Sequence, residues 1–350
     1  MPAGHVTLTA LPGLGTLDVD DIIDVRAPSE FAEDHIPGAI NLPALTDEER
    51  ARVGTIYVQQ DRFLARKIGA ALVSRNVAAH LEGPLADRDG GWRPMIYCWR
   101  GGQRSGSVGI IFDQIGWRVT VLEGGYKAYR RLVVEMLYDR SLGLRVVLID
   151  GGTGTGKTQL LHHLAKSGAQ VVDLEGLANH RGSNFGGWSD GQPAQKMFES
   201  RLAEALIGLD PGRPVFMEAE SNAIGRVLLP PAIWSAMARA EVVRLRASIP
   251  TRAAFLTTTY PDLTADAELL RQRIETLRPY QPRERIETWH ALATAGDYTG
   301  LAEELIEHHY DPRYRRPEAS DRTEIGVIDL PDMTEAALAC VAQQVIDLTV

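Results

Sequence analysis

Residues 146–158 read VVLID-GGTGTGKT, and no other stretch constrains the fold as tightly. A short apolar run bounded by turn residues reads as a buried strand. The glycines then let the chain turn closely, and KTQLL opens a helix. The pattern G-x4-G-K-T between a strand and a helix is a phosphate cradle, a P-loop. It runs through Gly151, Gly152, Thr153, Gly154, Thr155 and Gly156, with backbone amides from Gly152 to Lys157 converging on a diphosphate. Lys157 supplies positive charge, and the Thr158 hydroxyl is placed to hold a magnesium ion. Such a loop implies a phosphorylated ligand. It does not by itself imply nucleotide hydrolysis, and no arginine-finger arrangement is legible.

The acid that accompanies such a loop should end a later apolar strand. The best candidate is PVFMEAES, with Glu218 and Glu220, and QVVDLEG offers Asp173 and Glu175 as competitors. Both sets also read as caps of strands or helices, so the choice stays open at this point.

Strand patterns recur at Asp21–Val25, Met95–Cys98, Val119–Leu122, Val146–Asp150, Val171–Leu174, Val215–Glu218, Val242–Leu245 and Val327–Leu330. Helical spacing covers 47–79, 105–115, 124–137, 156–167, 194–208, most of 251–309, and 334–348. Strands alternating with helices predict α/β architecture with parallel sheets. The length suits two domains. The boundary is expected in Leu142–Arg145, which gives a domain over 1–141 and a second, P-loop domain over 142–350 with a helical C-terminal region.

The first domain contains MIYC-WRGGQRSGSVGIIF. A strand delivers Cys98 into a glycine-rich loop, and a helix begins near Ser105. Loop amides and the helix N-terminus favour a thiolate over a thiol, and Arg100 and Arg104 are expected to add to this. Gly101 and Gly102 allow the amides to turn inward. The same cradle suits a tetrahedral oxyanion. Cys340 lies in TEAALACVAQQVIDL and reads as a small buried hydrophobe of an amphipathic helix.

DIIDVRAPSEFAEDHIPGAINLP, YCWRGGQRS and GWRVTVLEGGYKAYRR resemble, in this order, three motifs of the rhodanese family. That resemblance implies a loop cysteine able to carry sulfur or selenium. Five residues separate Cys98 from Arg104, a longer spacing than in ordinary sulfurtransferases, and Cys-x5-Arg-Ser is also a phosphatase loop. EGLANHRGSNFGGW (175–188) and FMEAESNAIGRVLLP (216–230) resemble segments of the tRNA 2-selenouridine synthase family. This second resemblance implies tRNA with 2-thiouridine at the wobble position as substrate, and selenophosphate and geranyl diphosphate as co-substrates. It implies Cys98, Arg104 and Lys157 as catalytic residues. Arg181 and Trp188, with Glu218 and Glu220, become candidates for tRNA contact or for supporting the site.

Composition sets limits on these readings. A formal net charge of −9 argues against a general electrostatic grip on nucleic acid. Local basic faces remain: Arg226–Arg285 holds ten arginines against six acids, and Arg313, Arg315 and Arg316 form a second cluster. Two cysteines exclude a disulfide framework, and no Cys/His group has zinc-ligand spacing. No apolar run reaches the ~18–20 residues of a membrane span. The N-terminus lacks the pattern of a secretory signal, so a cytoplasmic location is expected. Two alternatives stay open: a Cys-dependent phosphatase, and a P-loop kinase with a regulatory rhodanese domain.

Overall fold

Alternating apolar runs and turn clusters give two parallel sheets. The computed structural model describes residues 4–11, 17–183, 185–188, 190–314 and 322–349. Arg315 and Arg316 of the second basic cluster lie outside the described residues. The chain divides into two units, Met1–Arg140 with Pro193–Gly208, and Ser141–Gln192 with Leu209–Val350.

The first unit holds β1 (Gly4–Val6), β2 (Asp21–Asp24), β3 (Ile40–Asn41), β4 (Pro94–Tyr97) and β5 (Thr120–Leu122). They lie in the order β1-β5-β4-β2-β3, and every pairing is parallel. Ile23, Val25, Ile96, Val108, Phe112 and Val121 form one apolar core with Leu72 and Val77 from the helical layer. The expected helix over 47–79 is two helices, Asp47–Gln59 and Arg62–Glu82. Asp61 makes the break: its Oδ1 accepts the Leu64 N–H at 2.6 Å and caps the second helix.

The second unit holds β6 (Val146–Asp150), β7 (Gln170–Val172), β8 (Val215–Glu218), β9 (Ala223–Ile224), β10 (Val227–Leu228), β11 (Glu241–Arg246) and β12 (Glu324–Asp329). The main sheet runs β12-β11-β6-β8-β7, again all parallel, while β9 and β10 pair separately as an antiparallel ribbon. Central β6 is buried at its first four positions, as its unbroken apolar run requires. Helices Ile249–Thr259, Pro261–Ala265, Ala267–Glu275, Arg283–Ala295 and Tyr298–Leu305 form the helical region. They enclose their own core around Trp289, Ile274, Ile286 and Leu277.

A cut at 141/142 follows chain order, but the contact units do not. Helix Gln195–Leu206 lies between β7 and β8 in sequence and belongs to the first unit. Its Glu199 is buried and accepts hydrogen bonds from Arg130, and from Tyr138 Oη at 2.7 Å. Cys340 corrects an expectation. It is exposed, because helix Glu335–Asp347 turns Leu338, Val341, Ala342 and Val345 inward instead.

Candidate functional site

In the first unit, β4 ends at Tyr97 and hands Cys98 to a loop that closes on helix Gln103–Ile115. The Cys98 Sγ is buried. It lies 3.2 Å from Ser105 Oγ and accepts the Gly102 N–H at 3.3 Å. Burial pushes the thiol up. The Ser105 hydroxyl and the amides of Ser105, Arg100 and Gly102 outweigh it and hold Cys98 below the ordinary thiol range.

The loop is locked by its neighbours. Tyr126 N donates to Cys98 O at 2.9 Å, and Lys127 N donates to Trp99 O at 3.0 Å. Gly101 has φ +65°, and a Cβ there would sit 2.5 Å from Leu122 O. Gly125 has φ +55°, and a Cβ there would overlap Cys98 O. A side chain at either position would therefore break the cradle. Gly102 is different: a Cβ there meets open space.

The two arginines do not gather at the sulfur. Arg104 Nη1 donates to Glu30 Oε2 at 2.8 Å, and Arg100 is exposed. Sequence reading aimed both at the thiolate, whereas a hydroxyl and amides surround it here. Ser105, which the sequence marks only as the start of a helix, is the side chain beside the sulfur. Beneath lies a buried pair, Arg26 Nη2 to Asp24 Oδ2 at 2.6 Å, with the Arg26 guanidinium 3.9 Å over the Tyr126 ring. Tyr126 Oη in turn donates to Asp34 Oδ2 at 2.6 Å. These contacts fix the VRAPSEF and GGYK segments beside the loop.

In the second unit, the loop after β6 carries positive φ at Gly154 and Gly156, then enters helix Lys157–Lys166. Lys157 Nζ donates to Gly151 O at 3.1 Å, folding the ammonium onto its own loop. Arg252 braces the loop from outside it. Its Nε donates to Thr153 O at 2.8 Å, and its Nη atoms pair with Asp311 at 2.7 and 2.9 Å. Ninety-nine residues of separation keep this contact out of sequence reach.

The acids sort themselves. Thr158 Oγ1 donates to Glu175 Oε2 at 3.1 Å, so Glu175 is the carboxyl that meets the P-loop hydroxyl. Burial, and then the charge of Glu220, push Glu175 up to about 8. Glu218 is fully buried at the end of β8 and accepts the Leu174 N–H at 3.0 Å. Its burial, with Asp173 close by, raises it well above the usual carboxyl range. Glu218 thus supports the turn after β7, while Glu175 faces the loop.

A cavity of ≈ 410 Å³ opens on Thr153–Gln159 and is walled by Glu175, Arg181, Trp188 and Tyr260. Arg181 and Trp188, the RNA-contact candidates, meet here. The Arg181 guanidinium lies 3.6 Å over the Trp188 ring and 4.2 Å over that of Tyr260. Its Nη2 donates to Asp262 Oδ2 at 2.8 Å, while its Nε and Nη1 are buried with no hydrogen-bond partner among the described residues. Among the described residues, no three His, Cys, Asp or Glu side chains converge as a metal-ligand set.

Comparison with known proteins agrees with this two-site layout. Residues 10–132 match the rhodanese-like domain model, and residues 144–281 match that of the tRNA 2-selenouridine synthase AAA domain. The chain is similar to the tRNA 2-selenouridine synthase of Hahella chejuensis, 35% identical over 329 residues, covering 84% of each protein. It is also similar to that of Nitrosomonas europaea, 40% identical over 235 residues, or 66% of this chain and 61% of that protein. The match to the Shewanella denitrificans protein is 39% over 239 residues, 65% of this chain and 62% of the relative. The last two alignments therefore span less than two thirds of the relatives' own length.

Proposed function

The chain belongs to the tRNA 2-selenouridine synthase family, and we propose that it performs the reaction for which that family is named. The substrate is tRNA carrying 2-thiouridine at the wobble position, and the product carries 2-selenouridine. Selenophosphate gives selenium, and geranyl diphosphate activates the sulfur. The observation that carries this reading is the presence in one chain of two anion cradles, one of which holds a thiol below its ordinary range.

A 2-thiocarbonyl sulfur leaves poorly. Its attack on C1 of geranyl diphosphate forms a C–S bond and releases diphosphate. The S-geranyl group then makes C2 more electrophilic. The selenium of selenophosphate adds to C2, and the C–S bond breaks to expel geranyl thiolate. Water then cleaves the Se–P bond, releasing phosphate and leaving the selenocarbonyl.

In this reading the P-loop amides hold the diphosphate, and Lys157 leaves Gly151 O to meet the charge on the departing group. Magnesium fits beside it. Thr158 offers a hydroxyl, and Glu175 is a carboxyl whose raised value a divalent cation would bring down. Bound there, the ion would offset charge on the leaving diphosphate. The Cys98 loop takes selenophosphate on its amides, with Arg100 and Arg104 as further phosphate contacts once Arg104 releases Glu30. Cys98 guides the selenium of the bound selenophosphate toward C2 and forms no bond to it. The Arg226–Arg285 stretch is the proposed tRNA surface, in a protein expected to work inside the cytoplasm.

Nucleoside analysis of 2-thiouridine tRNA tests this, with geranyl diphosphate, magnesium and selenophosphate added. Wild type should yield 2-selenouridine, Cys98→Ala should stop at S-geranyl-2-thiouridine, and Lys157→Ala should leave 2-thiouridine. If wild type leaves the nucleoside unchanged, the reading fails. If Lys157→Ala geranylates normally, the loops exchange roles.

A further inference from the structure

A second cavity, of ≈ 80 Å³, adjoins the phosphate cavity within the same unit. The two share Thr153, Ser183, Leu256 and Tyr260 as walls. Thr153 belongs to the phosphate loop itself. Past this shared wall the lining is mostly hydrocarbon, from Phe185, Leu263, Leu270, Leu301 and Leu305 of the core of the helical region, with threonine and tyrosine side chains between them.

Helices packed around an empty apolar space lose stability, because the lining atoms lack partners. Water restores little of that loss, since a buried water needs polar neighbours and the hydroxyls of Thr257, Thr264 and Tyr298 already donate to backbone carbonyls. A hydrocarbon group does restore it. A ligand that places phosphate on the loop amides and hydrocarbon in the adjoining space satisfies both cavities at once.

We infer that this apolar cavity receives the far end of the hydrocarbon chain of an amphiphilic diphosphate ester, and gauges the length of that chain. The inference rests on the reading of the P-loop as the geranyl diphosphate site. It adds where the chain ends and which residues limit it. An engineered apolar cavity of about 150 Å³ holds one benzene. The present cavity is smaller, so it takes only the last few carbons, and the rest of the chain crosses the shared wall. Leu270 and Leu301 become specificity residues for the chain, distinct from the groups that hold phosphate.

Calorimetric titration of the full-length protein with magnesium tests this, using inorganic diphosphate, geranyl diphosphate and farnesyl diphosphate as probes. Wild type should bind geranyl diphosphate at least about tenfold more tightly than inorganic diphosphate, from burial of two or more methylene equivalents. Leu270→Trp fills the cavity. It should bring geranyl diphosphate down to the level of inorganic diphosphate, whose own affinity stays and so reports an intact fold. Leu301→Ala enlarges the cavity and should raise the farnesyl-to-geranyl affinity ratio several-fold. Equal wild-type affinity for inorganic and geranyl diphosphate overturns this inference alone. Unchanged ratios in both variants do the same. A wild type that binds neither ligand overturns the assignment of the phosphate loop, and the inference with it.

Discussion

The Cys98 loop and the P-loop arise from one local design: a parallel strand stops, glycines turn the chain, and a helix begins. They collect charge in opposite ways. Around Cys98 the stabilising groups are a hydroxyl and three amides, and Arg104 is paired to Glu30. Around the P-loop the charge is a lysine, folded onto a carbonyl and faced by acids. In the first loop the amides and hydroxyl already surround the sulfur before any ligand arrives. The second must exchange an internal hydrogen bond for the ligand's oxygens. A glycine-rich turn therefore does not define an anion site; the source of positive charge does.

The comparison breaks most severely at Gly125. Gly125→Ala puts a Cβ onto Cys98 O at positive φ. Selenium incorporation should be lost and cysteine alkylation should lose its low-pH advantage, while S-geranylation, read from nucleosides, persists. Gly102→Ala, with open space around its Cβ, should leave both nearly intact. Lys157→Ala tests the other loop. Loss of a charge that acts on a leaving group should slow S-geranylation by about a hundredfold or more. The rate of Cys98 alkylation by iodoacetamide should not move.

The Ser105 hydroxyl sharpens the contrast at smaller scale. Ser105→Ala removes one hydrogen bond to the sulfur, worth about 1 kcal/mol, so alkylation of Cys98 at neutral pH should slow about fivefold. The loss should vanish at alkaline pH, where the thiolate forms regardless. Glu175 gives the smallest effect and a defined sign. Its folded value, about 8, stands above the ordinary 4.5, so the folded state holds the proton more tightly. Its contribution to stability is full below pH 4.5 and is lost as pH rises through about 8. Glu175→Gln should therefore flatten the fall in melting temperature of the second unit across that window.

What was legible in the sequence was whatever sits in one contiguous stretch. VVLID and VFME announce β6 and β8, and their flanking turns place both loops. Even Ser105 and Gly125 stood inside quoted motifs. The unread parts come from distant segments. Local sequence favours Glu218 and Glu220 over Asp173 and Glu175, and only the approach of the segment after β7 to the P-loop helix singles out Glu175. Arg252 reaches Thr153 across ninety-nine positions, and Arg181 is stacked by Tyr260 from a separate helix boundary. Arg104 was assigned by spacing to the anion, but spacing carries no information about Glu30, seventy-four residues upstream. Cys340 failed for a different reason: on an amphipathic helix one small residue fits either face.

A ribosome making this chain emits the thiol loop well before the helix Gln195–Leu206 that completes its unit. Until that helix emerges, Arg130 and Tyr138 lack Glu199. By then β6, the P-loop and β7 have already been synthesised. Birth order therefore places synthesis of the first unit's last helix after that of the phosphate loop. It also makes the gene resistant to splitting: a transcript severed near codon 141 would encode a first half that is missing one of its own pieces.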